Sequence, residues 1–128
     1  MQEPIKILIV DDHQMFIDGI KALLRNEKRF KIVSEALDGN SALEKLNGTA
    51  VDIMLTDISM PKMSGIELAW MVKNKHPHIK VLFLTMYNDH DIANDILMSE
   101  AEGVILKNTG KDELVAALTN LANNGTFF

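Results

Sequence analysis

The sequence predicts a doubly wound α/β domain, in which a parallel five-stranded sheet is covered by helices on both faces. Three observations predict it. Five short runs of apolar or β-branched residues recur along the chain, a segment with helical periodicity follows each run, and a length of 128 residues suits one domain. Strands that are joined by helical crossovers pair in parallel, and right-handed crossovers place helices on both faces of the sheet.

The five predicted strands are short segments bounded by polar or turn-forming residues: Ile5–Val10, Phe30–Ala36, Val51–Thr56, Lys80–Leu84 and Gly103–Leu106. The first and the third are nearly all apolar, which is typical of central strands that are covered on both faces. The common arrangement of five such strands is the flavodoxin-like order 2-1-3-4-5, and we expect this order here.

The predicted helices have apolar residues that recur on one face. They are Gln14–Asn26, a short helix that follows Asp38-Gly39 and contains Ala42 and Leu46, a third helix that begins after Pro61–Ser64, Asp89–Ser99, and Lys111–Asn123. Phe16 lies on the apolar face of the first helix. Asn88 or Asp89 is the predicted N-cap of the fourth.

The composition excludes several classes of function. Thirteen basic and eighteen acidic residues give a formal net charge of −5, which argues against direct contact of this domain with nucleic acid. The sequence has no cysteine, so disulfides, thiolate nucleophiles and zinc–sulfur sites are excluded, and an intracellular protein is favoured. Apolar stretches fall short of the ~20 residues that span a bilayer, so we expect a soluble cytoplasmic domain without a membrane partner.

Polar residues follow four of the five predicted strands, at the edge where ligands bind in open parallel sheets. In chain order they are Asp11 and Asp12 after the first strand, Asp57 after the third, Thr85 after the fourth and Lys107 after the fifth. The second strand is the edge strand in this order, and it ends in apolar residues. His13 follows the acidic pair at the rim, and catalysis does not require it.

These residue types suit phosphoryl chemistry. Carboxylates that lie close together raise each other's pKa unless a cation is present. Hard oxygen ligands without histidine or cysteine favour Mg²⁺, which usually takes one or two carboxylates plus waters and leaves room for a phosphate. A metal-bound carboxylate can also act as a nucleophile toward phosphorus, as in aspartyl-phosphate chemistry. Thr85 can donate a hydrogen bond to a phosphoryl oxygen, and Lys107 can neutralise another.

Each of these residues also has a purely structural interpretation. A pair of aspartates before a helix can cap it and complement its dipole. Asp57 can simply begin a loop, and Lys107 can be a charged guard on an edge strand. Their joint placement at one rim favours a common site.

The stretches ILIVDDH, DIMLTDISMPKMSGIEL, VLFLT and AEGVILK resemble the receiver domain of two-component response regulators, in order and spacing, over essentially all 128 residues. The resemblance implies that Asp57 accepts a phosphoryl group from a sensor histidine kinase or from a small donor such as acetyl phosphate. It also implies that Asp12, Asp57 and the backbone carbonyl of Ser59 bind Mg²⁺, and that Asp11 acts on the ion through water. Thr85 would then hold the phosphoryl group together with the lysine that follows the fifth strand.

The stretches VDDHQMFIDGIKALL, LTMYND and GVILKNTGKDELVAAL are most similar to the NarL/FixJ subfamily, in which the receiver precedes a LuxR-type helix-turn-helix DNA-binding domain. We therefore expect residues 1–128 to be the receiver domain of a transcription factor that continues beyond Phe128; a stand-alone receiver is the alternative. A phosphorylation-dependent homodimer is implied as well. The expected switching face comprises the Asp89–Ser99 helix, the fifth strand and the Lys111–Asn123 helix.

Two positions depart from the family pattern. Val104 stands three positions before Lys107, where an aromatic residue is usual, so an aromatic switch is not expected there. Asn108 stands where many receivers have a proline in a cis peptide. Because a cis bond before a residue other than proline costs about 3 kcal/mol, we expect the Lys107–Asn108 peptide to be trans.

Two other functions use similar residues. A Mg²⁺-dependent phosphatase that works through an aspartyl-phosphate typically has a second acid two residues after its nucleophile, where this chain has Ser59. A flavin-binding domain needs a small-residue phosphate loop after the first strand, where this chain has two carboxylates. A signalling switch that catalyses only its own phosphorylation and dephosphorylation is therefore favoured.

Overall fold

The computed structural model describes residues 3–86 and 93–128, and it confirms the alternation of strands and helices. The strands are β1 (Ile5–Val10), β2 (Phe30–Ala36), β3 (Ile53–Asp57), β4 (Lys80–Thr85) and β5 (Gly103–Leu106). The helices are α1 (Gln14–Leu24), α2 (Gly39–Leu46), α3 (Gly65–Lys75), α4 (Ala93–Met98) and α5 (Lys111–Ala122). The N-cap predicted at Asn88 or Asp89 lies outside the described residues. None of the helices within the described ranges is long and apolar enough to cross a membrane.

The strands form one parallel sheet in the order β2-β1-β3-β4-β5, as predicted. The central strands β1 and β3 are neighbours, with Val10 paired to Thr56 near their carboxyl ends. Asp57 is paired to Leu84 of β4. Because all the strands are parallel, their carboxyl ends lie at one edge of the sheet. The ends of β1, β3, β4 and β5 follow one another along this edge, and β2 is the outermost strand beside β1.

Alternation along the strands divides the core into two clusters, one on each face of the sheet. Ile7 and Ile9 pack with the buried residues of α1 and α5. Leu8 and Val10 pack with buried residues of α2, α3 and α4. Full burial of each such side chain contributes about 1.5–3 kcal/mol, so both helical layers are held firmly on the sheet. The doubly wound architecture is confirmed.

Some element boundaries differ from the predicted ones by one or two residues. Helix α1 ends at Leu24, and the predicted strand Val51–Thr56 is observed at Ile53–Asp57. Val51 is buried, but the strand ladder with β1 begins at Ile53. At the other end, Asp57 joins the ladder with β4, so the strand itself carries this carboxylate into the edge of the sheet.

Helix α5 ends one residue before its predicted end, in a Schellman motif. Asn124 has a left-handed backbone with φ of 66°, and its N–H donates to the carbonyl of Leu121 at 3.0 Å. The N–H of Gly125 donates to the carbonyl of Asn120 at 2.7 Å. These two bonds satisfy carbonyls that the end of a helix otherwise leaves unpaired.

The segment after α5 adds a short parallel bridge to the free edge of β5. Phe127 donates to the carbonyl of Glu102 at 2.9 Å, and Val104 donates to the carbonyl of Phe127 at 2.8 Å. A Cβ atom on Gly103 would lie 2.5 Å from the Phe127 carbonyl oxygen, so this close approach requires glycine. Val104, which stands three positions before Lys107, is half-buried against the cluster that α2, α3 and α4 cover.

Candidate functional site

The carboxyl ends of β1, β3 and β5 bring three carboxylates and one ammonium group together. Lys107 Nζ lies 2.7 Å from Asp11 Oδ2 and 3.1 Å from Asp57 Oδ2. One ligand-type atom from each of Asp11, Asp12, His13 and Asp57 lies within 4.8 Å of the others. The fold thus joins residues that are 50 positions apart in sequence into one constellation.

Asp11 is a buried anchor of this constellation. Its side chain is fully buried, and Oδ1 accepts a hydrogen bond from the backbone N–H of His13 at 2.9 Å. His13 Nδ1 contacts the same oxygen at 3.0 Å, and Lys107 occupies the other. The N-cap residue of α1 is His13, and Asp11 is fully buried, so the interpretation of the pair Asp11 and Asp12 as a solvated helix cap is wrong.

Asp12 has a carboxylate oxygen that the protein leaves available. Its Oδ1 is buried and lies 3.1 Å from His13 Nδ1, but it accepts no hydrogen bond within the part of the chain that the structure describes. A buried oxygen without a donor is costly unless water or a cation compensates it. Since Asp57 lies within the same cluster, the donor set fits a hard divalent cation such as Mg²⁺.

Asp57 is a buried carboxylate whose ionised form is poorly solvated. Burial raises the pKa of Asp57, and the charge of Asp11 raises it further, whereas the hydrogen bond and charge of Lys107 and the backbone N–H of Ser59 lower it. The net result is a pKa above the ordinary value. A cation at this position would favour the ionised carboxylate, which is the form that can attack phosphorus.

Lys107 is held in its charged form inside the site. Burial acts to lower the pKa of Lys107, but hydrogen bonds to Asp11 and Asp57 and the charges of both carboxylates outweigh it, so the pKa is raised. Its side chain is only 6% exposed, which excludes the interpretation as a solvent-facing guard on an edge strand. The Lys107–Asn108 peptide is trans, as predicted.

Thr85 and Ser59 lie on segments that reach the same edge of the sheet as Asp57. Thr85 is the last residue of β4 and is half-buried, and its carbonyl accepts a hydrogen bond from the backbone N–H of Lys107 at 2.8 Å. The N–H of Ser59 donates to Asp57 Oδ1 at 3.3 Å. Both backbones therefore lie at the edge of the sheet where the three carboxylates converge.

The loop from Asp57 to α3 is folded tightly against its own beginning. The N–H of Gly65 donates to the carbonyl of Ile58 at 2.8 Å, and a Cβ atom on Gly65 would lie 2.0 Å from the Asp57 carbonyl oxygen. Ser64 caps the helix by accepting a hydrogen bond from the N–H of Glu67 at 3.1 Å, which is half of a capping box. This glycine and this cap position the backbone that carries Asp57.

The sequence interpretation missed two contacts at the rim. The ring of His13 touches Asp11 and Asp12, although the sequence suggested only a position near them. Phe16 was assigned to the apolar face of its helix, but its ring centroid lies 4.6 Å from Lys107 Nζ. Its place in the first turn after the end of β1 is the signal that could have indicated this contact.

Comparisons with known proteins agree with this geometry. The sequence model of the response regulator receiver domain matches residues 7–119. The transcriptional regulatory protein DegU of Brevibacillus brevis is 34% identical over 126 residues, which cover 98% of this chain and 53% of that protein. The chain thus spans about half the length of this curated relative.

Solved structures of response regulators are similar to this chain as well. The isolated REC domain of RcsB from Salmonella enterica serovar Typhimurium, in the presence of phosphomimetic BeF3⁻, superposes with a TM-score of 0.89 at 28% identity, over 97% of this chain and 92% of that one. A longer RcsB response regulator structure from Salmonella typhimurium, described in terms of conformational dynamism for DNA interaction, gives a TM-score of 0.90 at 29% identity. This match covers 98% of this chain and 62% of that one.

Proposed function

The chain belongs to the response regulator receiver domain family, and on that premise we propose that Asp57 is its phosphoacceptor. Receiver domains are phosphorylation-controlled signalling switches rather than enzymes that turn over an external substrate. The observation that carries the assignment is that Lys107 contacts both Asp11 and Asp57 at the rim where the carboxylates converge. A site of this kind presents a nucleophilic carboxylate next to a fixed positive charge.

The proposed reaction transfers one phosphoryl group. A carboxylate oxygen of Asp57 attacks the phosphorus of a phosphohistidine on a sensor histidine kinase, or of acetyl phosphate. The new O–P bond forms as the bond from phosphorus to the leaving group breaks, and the leaving group departs with the electron pair. Lys107 then pairs with an oxygen of the transferred group and the Thr85 hydroxyl donates a hydrogen bond to another.

We propose that Mg²⁺ is held by Asp12, Asp57 and the backbone carbonyl of Ser59. When bound, the ion neutralises charge on the phosphoryl group and on the converging carboxylates. The unsatisfied buried oxygen of Asp12 supports this assignment. Both oxygens of Asp11 are already in contact with His13 or Lys107, which suits an indirect role through water.

Phosphorylation would change what Lys107 pairs with. The transferred group adds about −1.5 to −2 charges and new acceptor oxygens at the site. Because Lys107 directly follows β5, a change of its partners acts on the face formed by α4, β5 and α5. We propose that a second receiver reads this face and that the phosphorylated protein forms a homodimer.

The output that we propose is transcriptional regulation. DegU is a transcriptional regulatory protein, and the longer RcsB structure is described in terms of DNA interaction. The net charge of −5 suits a domain that leaves DNA contact to another part of the protein. We therefore propose a helix-turn-helix domain beyond Phe128, to which the receiver relays its state.

The test of the phosphoacceptor is intact-mass measurement after incubation with acetyl phosphate and Mg²⁺. We expect the mass of one phosphoryl group to be added and to be removed by hydroxylamine, which cleaves acyl phosphates. Asp57→Asn should take up none. Asp52→Asn is the matched control, because Asp52 is an exposed carboxylate just before the other end of β3. An unmodified wild-type mass, or modification that survives in Asp57→Asn, would contradict the proposal.

A further inference from the structure

The ammonium group of Lys107 has an aromatic neighbour besides its two carboxylates. The ring centroid of Phe16 lies 4.6 Å from Lys107 Nζ, within the range of a cation–π contact. Phe16 is the third residue of α1, and its N–H donates to the carbonyl of His13 at 3.0 Å. The ring is therefore held by the same segment that carries the acidic pair.

The contact between Phe16 and Lys107 involves an ammonium group that is buried. Lys107 is almost completely buried, so its three N–H donors must find partners inside the protein. The carboxylates of Asp11 and Asp57 lie on two of its sides, and the ring of Phe16 adds a face with negative electrostatic potential. A cation–π contact is strongest when the cation is withdrawn from water, as it is here.

We propose that Phe16 is a positioning residue that holds the Lys107 ammonium toward Asp57 and shields it from water. This inference rests on the proposed function, because it concerns how the same lysine meets the incoming phosphoryl group. An ammonium that is already oriented and desolvated stabilises the charge that develops in the transfer without first reorganising. The proposed role of Phe16 is exerted through Lys107, which its ring contacts.

The primary variant is Phe16→Leu, which keeps an apolar side chain and removes the ring. Loss of a cation–π contact predicts a rate of phosphorylation by acetyl phosphate and Mg²⁺ that is about three- to tenfold lower. In the unphosphorylated protein, exchange of the Lys107 ammonium protons with solvent, followed by ¹⁵N NMR, should become faster. Phe16→Tyr retains the ring and should restore both quantities to within about twofold of wild type.

Two controls separate positioning from general packing. Met15→Leu changes a residue of the same helix that is 87% exposed, and it should alter neither quantity. In a Lys107→Met background, Phe16→Leu should slow phosphorylation no further, whereas a purely structural effect would persist. Phe16→Met serves as a second ring-free variant, and thermal unfolding verifies that each variant is folded at the assay temperature.

The outcomes distinguish this inference from the function on which it rests. If the wild-type protein takes up no phosphoryl group, the proposed function fails, and the exchange of the ammonium protons alone decides whether Phe16 shields Lys107. If the wild type is phosphorylated but the ring-free variants match it in rate and exchange, the role of Phe16 is refuted. An equal loss of rate in the Lys107→Met background would refute it as well.

Discussion

Gly65→Ala is expected to damage both the stability of the fold and phosphorylation, through a single steric contact. Gly65 opens α3, and its Cα faces the backbone of Asp57 and Ile58. A Cβ atom added there would lie 2.0 Å from the Asp57 carbonyl oxygen and 2.9 Å from the carbonyl carbon. The backbone of Gly65 is not left-handed, so alanine meets no φ penalty and the effect is purely one of space.

The expected loss of stability and of rate follows from how far the added Cβ atom and the Asp57 carbonyl oxygen must move apart. An ordinary contact begins at 3.4 Å, so the 2.0 Å approach has to open by about 1.4 Å. The obstructing atoms belong to the backbone and cannot rotate away, so the loop or the helix must move. Overpacking of this kind costs about 1–3 kcal/mol. Displacement of a reacting group by ~1 Å can lower a rate about 100-fold, and we expect a 10- to 100-fold slower phosphorylation.

Urea unfolding and intact-mass kinetics with acetyl phosphate and Mg²⁺ measure the two effects on the same samples. Gly19→Ala is the matched control, because Gly19 lies inside α1 and a Cβ atom there meets nothing within 4 Å. Alanine at this helical position should stabilise the protein by about 0.5–1 kcal/mol and leave the rate unchanged. If Gly65→Ala behaves like Gly19→Ala in both measurements, the account of the loop that carries Asp57 is wrong.

Three further predictions address charge in the protein. Burial raises the pKa of Asp57 above its ordinary value of 3.8, so ionisation of this carboxylate lowers the stability of the folded protein. This loss of stability is absent below pH 3.8 and reaches its full size above the folded-state pKa. In Mg²⁺-free buffer, Asp57→Asn should therefore resist urea better than wild type at pH 7, with a gain that vanishes as the pH falls toward 3.8; lower stability at pH 7 would refute this. Glu102→Ala removes the partner of Lys73 and a 2.6 Å hydrogen bond from the backbone of Val81, which should cost about 2–3 kcal/mol in urea unfolding; a loss below 0.5 kcal/mol would be too small for such a network. Asp12→Asn should weaken Mg²⁺ binding at least tenfold by isothermal titration calorimetry, and an unchanged affinity would remove Asp12 from the ligand set.

The sequence predicted most strand boundaries because turn-forming or charged residues delimit them. The bounds of β1, β2 and β5 agree with the prediction, whereas β3 is shifted along the chain and β4 extends one residue further, to Thr85. Val51 is apolar and buried, which is the signal used to place a strand, but pairing with β1 decides where the ladder begins. Apolar residue types indicate which positions are buried, whereas the hydrogen bonds of a strand depend on its register with the neighbouring strands.

The site was predictable as far as topology determines it. Parallel strands present their ends at one edge, so residue types alone indicated that Asp57 and Lys107 would meet, and they do. The place of Phe16 in the first turn after β1 indicates a position near the rim, but its contact with Lys107 depends on how α1 lies on the sheet and on side-chain rotamers, as do the contacts of His13. Helical periodicity assigns Phe16 to the core side of α1, and that assignment does not separate packing on the core from a contact with a buried cation.

Mapping the modified residue tests the central claim most directly. Borohydride reduces an acyl phosphate of aspartate to homoserine, so peptide mass spectrometry after treatment with acetyl phosphate and Mg²⁺ identifies the esterified carboxylate. We predict homoserine at position 57 alone, and none when Mg²⁺ is chelated. Homoserine at Asp11 or Asp12 instead, or equal labelling of Asp57 in the absence of a divalent ion, would contradict the account.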